Sequence, residues 1–230
     1  MTAVLTRKDD SVITALYRRR AWLWLVPAVP AGVLTVLIMV VLPPEQTLGN
    51  LADWAFRLSP FVLAVLTVAL LPRWRFAPAL LVLAVIVYMG FLDTAMVLRI
   101  LDYGATPPAR QDAAFEHVYQ FELFTATFVV LFGLLAYRIA GARSTSVLKL
   151  GVAGILVVIS GLNDLTFWFA YDWPNGRPAE LRWASHISVF VGGPPSVATA
   201  VVFLVLHLAL AGAVLAVPLG RIVDRALGVR

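Results

Sequence analysis

Six long apolar stretches, at 21–42, 57–72, 76–99, 118–140, 147–171 and 185–219, constrain this chain more than any motif it carries. A bilayer core about 30 Å thick takes about 20 mostly apolar residues per helix, and it offers no water to an unpaired backbone amide. Stretches of this length are therefore read as spanning helices. Composition agrees: 61% of residues are hydrophobic and 13% charged, against roughly 25% charged in an ordinary soluble domain. The expected fold is an all-α polytopic membrane bundle of six transmembrane helices. The second stretch is short and needs flanking residues to reach across. The sixth is too long for one straight helix, and a break is expected at Gly192-Gly193-Pro194-Pro195, because proline removes a backbone donor and clashes with the preceding turn.

The Lys/Arg distribution gives an orientation, since basic residues favour the cytoplasmic side. One set of flanks holds thirteen of the 18 basic residues, from Arg7 and Lys8 through Arg73, Arg75, Arg138, Arg143 and Lys149 to Arg221, Arg225 and Arg230; the other holds Arg57, Arg99, Arg110, Arg177 and Arg182. Both termini of a cell-membrane protein are thus expected in the cytoplasm. Topology accounts for the basic pI of about 10.0, and nucleic acid is not an expected partner. Residues 1–20 read as a cytoplasmic segment able to form an interfacial helix, with Val12, Ile13, Leu16 and Tyr17 at helical spacing. A single transmembrane domain follows over 21–219, then a cytoplasmic tail over 220–230. The first stretch lacks a small-residue cleavage pattern and reads as a retained helix. The chain has no cysteine, which removes disulfides and thiolate chemistry.

Drawn on this topology, the few intramembrane charges come out at one depth. Asp93 lies about six residues from the outer end of the third helix, Glu122 about one turn below the outer end of the fourth, and Asn163 and Asp164 about two turns from the outer end of the fifth. His117 and His186 open the fourth and last helices at the rim of the same layer. A buried carboxylate costs several kcal/mol unless it is paired, protonated or metal-bound, so three at one level read as a shared catalytic site of Asp93, Glu122 and Asp164. Trp168, one turn from Asp164, is a candidate wall of the site, with Phe167 and Tyr88. There are structural readings as well: Asp93 neutralised by Arg99, Asp164 a protonated acid bonding a neighbouring helix, His117 a plain interfacial histidine, Met89 and Met96 core filling, and His207 a packing residue in the inner half, away from the others.

Two local patterns carry a resemblance over about 100–190. The run Gly161-Leu-Asn-Asp-Leu-Thr-Phe-Trp-Phe169, followed after a loop by His186, and the run Asp112-Ala-Ala-Phe-Glu-His117 with Gln120, Phe121 and Glu122 after it, resemble segments in the C subunit of copper-dependent membrane monooxygenases, which oxidise methane, ammonia or short hydrocarbons. The resemblance implies metal contact from His117, His186 and Asn163, with Asp102 as the loop aspartate, copper or another transition metal as cofactor, and further membrane subunits as partners. Two histidines of the family pattern are absent here, which leaves an oxygen-richer donor set.

Three function classes follow. The first is a metal-dependent oxidoreductase, a monooxygenase-like subunit acting on a small or apolar substrate from the membrane lipid. The second is a metal-free lipid-modifying enzyme, an isoprenoid cyclase or isomerase, in which a buried acid protonates an alkene and Trp168, Phe167 and Tyr88 shield a carbocation. The third is a non-enzymatic membrane subunit or carrier whose acids bind a cation or a partner helix.

Overall fold

The structure, a computed structural model, describes residues 20–42, 48–72, 77–173 and 176–226. The expected interfacial segment, apart from Arg20, and the last four residues of the tail lie outside the described residues. After a helical turn at Arg20–Leu23 come α1 (Leu25–Val36), ending in a π-helical turn at Leu37–Val41, and α2 (Leu51–Leu70). The next rod is α3 (Ala77–Val87), a π-helical turn (Tyr88–Asp93) and α4 (Thr94–Ala105). Then follow α5 (Gln111–Ile139), α6 (Ser144–Val158), α7 (Leu162–Ala170), α8 (Ser185–Val191), α9 (Val197–Ala216) and α10 (Leu219–Ala226).

Six of the helical stretches are long and apolar enough to cross a membrane: Ala21–Val41, Leu51–Leu70, Pro78–Ala105, His117–Ile139, Ser144–Ala170 and Val197–Ala216. The chain is an all-α, multi-pass bundle, with no strand among the described residues beyond one isolated bridge between Glu180 and Ser196. The second span starts six residues before the apolar run because its first turn is polar and capped. The Asn50 side chain accepts from the Asp53 amide at 2.9 Å, and Asp53 in turn accepts from the Gly49 amide and pairs with Arg57 at 3.2 Å.

Two interruptions shape the long-loop end, where the connections at 106–110 and 171–184 lie. The expected break in the sixth stretch is present: Gly192 adopts φ 81° and ends α8, and Ser196 caps α9 by accepting from the Thr199 amide at 3.1 Å. The sixth span is therefore α9 alone, with α8 a separate short helix laid beside its first turns, Phe190 reaching Phe203 at 5.6 Å between ring centroids. The second interruption splits the fifth span at Ile159–Gly161, between α6 and α7.

Toward the opposite end α2, α5 and α6 run unbroken and pack on apolar side chains. Phe61, Val65 and Ala69 of α2, Leu134 of α5 and Val147 and Ile155 of α6 form the core cluster. Gly151 makes this approach feasible, since a Cβ there would collide with Val65 and crowd Leu134. Arg138 closes that end by donating to the Leu71 carbonyl at 2.7 and 3.0 Å and to the Ala142 carbonyl at 2.6 Å, serving carbonyls that a helix end leaves open. Valines, leucines and isoleucines of α1, α3, α4 and α9 face outward, the pattern expected where lipid is the solvent.

Candidate functional site

Gly161 builds the site. Its φ of 77° lies in the left-handed region, where a side chain is strained, and it turns the chain out of α6 so that α7 begins one residue later. Its missing side chain also admits α8: a Cβ at Gly161 would stand 2.7 Å from Ile187 Cδ1 and 3.7 Å from His186 Nε2. The new helix start puts Asn163 and Asp164 in the first turn of α7, where the partial positive charge of a helix N-terminus favours an acid.

Asp164 has no exposed side-chain surface. Its Oδ1 accepts from the Tyr119 hydroxyl of α5 at 3.1 Å, and Tyr119 Oη accepts in turn from Asn163 Nδ2 at 3.0 Å. Its Oδ2 faces Nε2 of His186 at 3.6 Å, too long for a hydrogen bond, and both atoms are buried without a hydrogen-bond partner. His186 sits on α8, outside the six spanning segments, and burial, with His207 adding, pushes its imidazole down to about 4. The contact is thus between a neutral imidazole and a carboxyl group, not an ion pair.

The expected site residues divide into groups. Asn163, Asp164 and His186 come together. Glu122 is surface-exposed, one turn from Tyr119, and close enough to interact electrostatically with Tyr119 and Asp164. Asp102 and His117 instead line a pocket of about 440 Å³ at the α4–α5 connection, with Thr106 and Arg110. Asp93 is exposed at the end of the π-helical turn, with no hydrogen bond or ion pair to another described residue. Arg99, its expected neutraliser, instead lies over the Phe121 ring at 4.0 Å and donates to the Ala95 carbonyl. Among the described residues no three His, Asp or Glu side chains gather closely enough to hold a metal ion.

The expected aromatic walls divide in the same way. Phe167 belongs to a cluster at the long-loop end, with Phe115, Tyr171, Trp173 and Trp183 at centroid distances of 5.3 to 6.4 Å. Trp168 packs against the cluster of Leu181, Ala184, Ile187 and Ala200, but its indole N–H donates to the Pro178 carbonyl and one ring face carries the Arg177 guanidinium at 5.2 Å. Tyr88 stacks on Phe128 at 6.2 Å, on the α3–α4 rod.

Sequence reasoning missed Tyr119, which shares the layer of Glu122 and holds the site together. A depth argument extended from charged groups to hydroxyls finds it. His207, expected apart, has its ring 4.1 Å from Phe203, which also faces His186 at 6.4 Å. Comparison of the chain with protein families, curated proteins and solved structures found no match to any of them.

Proposed function

We propose that the protein is a membrane-embedded enzyme of proton transfer, acting on an apolar alkene such as an isoprenoid drawn from the bilayer. The facing pair of Asp164 Oδ2 and His186 Nε2 carries this reading: two buried polar atoms at 3.6 Å, both unserved. Each such atom costs about 1–3 kcal/mol, and folds that retain the cost commonly do so where chemistry uses it. In this reading Asp164 delivers a proton from Oδ2 to one alkene carbon. The carboxylate so formed is held by the Tyr119 O–H on Oδ1 and by an Nε2–H of neutral His186 moving in on Oδ2. The same carboxylate then removes a proton from a neighbouring carbon, shifting the double bond or closing a ring, with no oxidant consumed. Phe203, beside both His186 and His207, is better placed to shield a cation than Trp168, whose ring face already carries Arg177.

Deuterium uptake tests it. Purified protein in D2O with a polyprenyl substrate should place deuterium on alkene carbons, and Asp164→Asn and His186→Gln should each abolish the uptake. Uptake that survives Asp164→Asn sinks the proposal.

A metal-dependent oxidative role, implied by the resemblance, is the second reading, and one observation favours it. The 3.6 Å separation is close to the roughly 3.4 Å between two ligands on one tetrahedral ion with bonds of about 2.0–2.2 Å. Two donors fall short of the three that such a site takes from protein, and no third His or acid gathers among the described residues, so the residues do not fit a resident copper or other transition metal. Elemental analysis decides between the readings: stoichiometric metal in purified protein, lost in His186→Ala, would replace proton transfer. We further propose a cell-membrane location with both termini cytoplasmic, supported by the basic asymmetry; labelling of Ser144→Cys by an impermeant thiol reagent outside intact cells would contradict it.

A further inference from the structure

At the short-loop end, the start of α6 and the α9–α10 junction border an open cavity of about 500 Å³ lined by Arg143, Thr145, Ser146, Lys149, Val217 and Arg221 among others. Three cationic side chains converge on it. The nearby acid, Asp224, is already taken by Arg143 Nη2 at 2.6 Å, and neither Lys149 nor Arg221 has an acidic partner among the described residues. The remaining charge is therefore positive. The hydroxyls of Thr145 and Ser146 line the same space, and α6 begins there without a side-chain cap, which leaves first-turn amides for an outside acceptor.

The position of the cavity says which anion. Lys149 lies within the fifth span, and Val217 directly follows the sixth, so the cavity sits where hydrocarbon gives way to headgroups. The amphipathic α10 places Leu219, Ile222 and Val223 on one side and Arg221, Asp224 and Arg225 on the other, the pattern of a helix lying along an interface. Exposed Leu215, Val217 and Ile222 beside the cations offer an apolar track that a soluble ion has no use for. We propose that this cavity binds the phosphate group of an anionic phospholipid, its acyl chains lying along α9. The topological bias toward basic flanks explains why cations occur at this end. It does not explain three of them meeting hydroxyls around one cavity.

Lipid titration of the full chain in neutral detergent tests the proposal. Phosphatidylglycerol should bind and raise the thermal midpoint, whereas phosphatidylcholine with the same acyl chains should not. Each cation removed should weaken phosphatidylglycerol about fivefold, so Lys149→Gln with Arg221→Gln should weaken it about twenty-five-fold. Arg182→Gln, on an exposed loop at the other end, should change nothing. If the double variant does not fold, Arg221→Gln alone, on exposed α10, should still show the fivefold loss. Equal binding of the two lipids, or undiminished affinity in the variants, would overturn the proposal. An equal shift from inorganic phosphate alone would also overturn it, assigning the cavity to a soluble anion.

Discussion

Two aspartates, each beside an interruption in a spanning segment, meet opposite fates. Asp164 follows the Gly161 break and is enclosed by α5 and α8, bonded to Tyr119 and facing His186. Asp93 ends the π-helical turn of the α3–α4 rod, which packs chiefly on α5, and is exposed. The difference lies in what each break does. The Gly161 break starts a new helix with open amides and lets a second element, α8, press in. The π-helical turn widens one helix without bringing another against it. Depth in the membrane is set along the chain, whereas enclosure is set around the helix axis by what packs there.

The largest expected effect separates the two aspartates directly. Asp164→Ala takes the acceptor from the Tyr119 hydroxyl and leaves His186 facing a void, so a loss of about 3–4 kcal/mol is expected in thermal unfolding. Asp93→Ala removes an exposed charge and should change stability by less than about 0.5 kcal/mol, or raise it. Equal losses would mean that Asp93 has an interior partner and that the two regions do not differ.

A second pair tests the breaks themselves. Gly161→Ala forces a left-handed side chain and pushes Cβ against Ile187, at an expected cost of about 2 kcal/mol. Gly90→Ala, in the π-helical turn, has open space around its Cβ and no positive φ, and should be neutral or gain up to about 1 kcal/mol. Midpoints measured in one detergent give both values. A destabilising Gly90→Ala would reveal a neighbour packed on the rod.

The sequence made some of this visible and hid the rest for identifiable reasons. The six spans were legible because a bilayer demands about 20 apolar residues, and the break at Gly192–Pro195 because proline cannot continue a helix. The Gly161 break was not, since it lies in an unbroken apolar run without proline and its left-handed turn is held by α8 from elsewhere in the chain. Within the site, depth correctly grouped Asn163, Asp164 and His186. It also grouped Asp93, but its span runs on to Ala105, so it lies further from the span end than Asp164 does, and it is exposed. His207 was set apart by its depth in the inner half, because the expected break at Gly192–Pro195 does not say where α8 goes; the Gly192–Ser196 turn lays α8 beside α9, and Phe203 lies near both imidazoles.

The smallest expected effect sharpens the comparison with a single oxygen atom. Tyr119 and Tyr88 both lie within spans, and both rings stack on phenylalanine, Tyr119 on Phe115 and Tyr88 on Phe128, further along α5. Tyr119 Oη donates to Asp164 and accepts from Asn163, whereas Tyr88 has no side-chain hydrogen bond to another described residue. Replacing each by phenylalanine keeps the stacking and removes the oxygen alone. Tyr119→Phe should cost about 1 kcal/mol, because Asp164 Oδ1 and the Asn163 amide both lose a partner where water cannot replace it. Tyr88→Phe should stay within about 0.3 kcal/mol of wild type. The double variant should show the sum, since Tyr88 shares no partner with Tyr119. A loss for Tyr88→Phe equal to that of Tyr119→Phe would show that the rod holds a polar network of its own, with Asp93 the first residue to place in it.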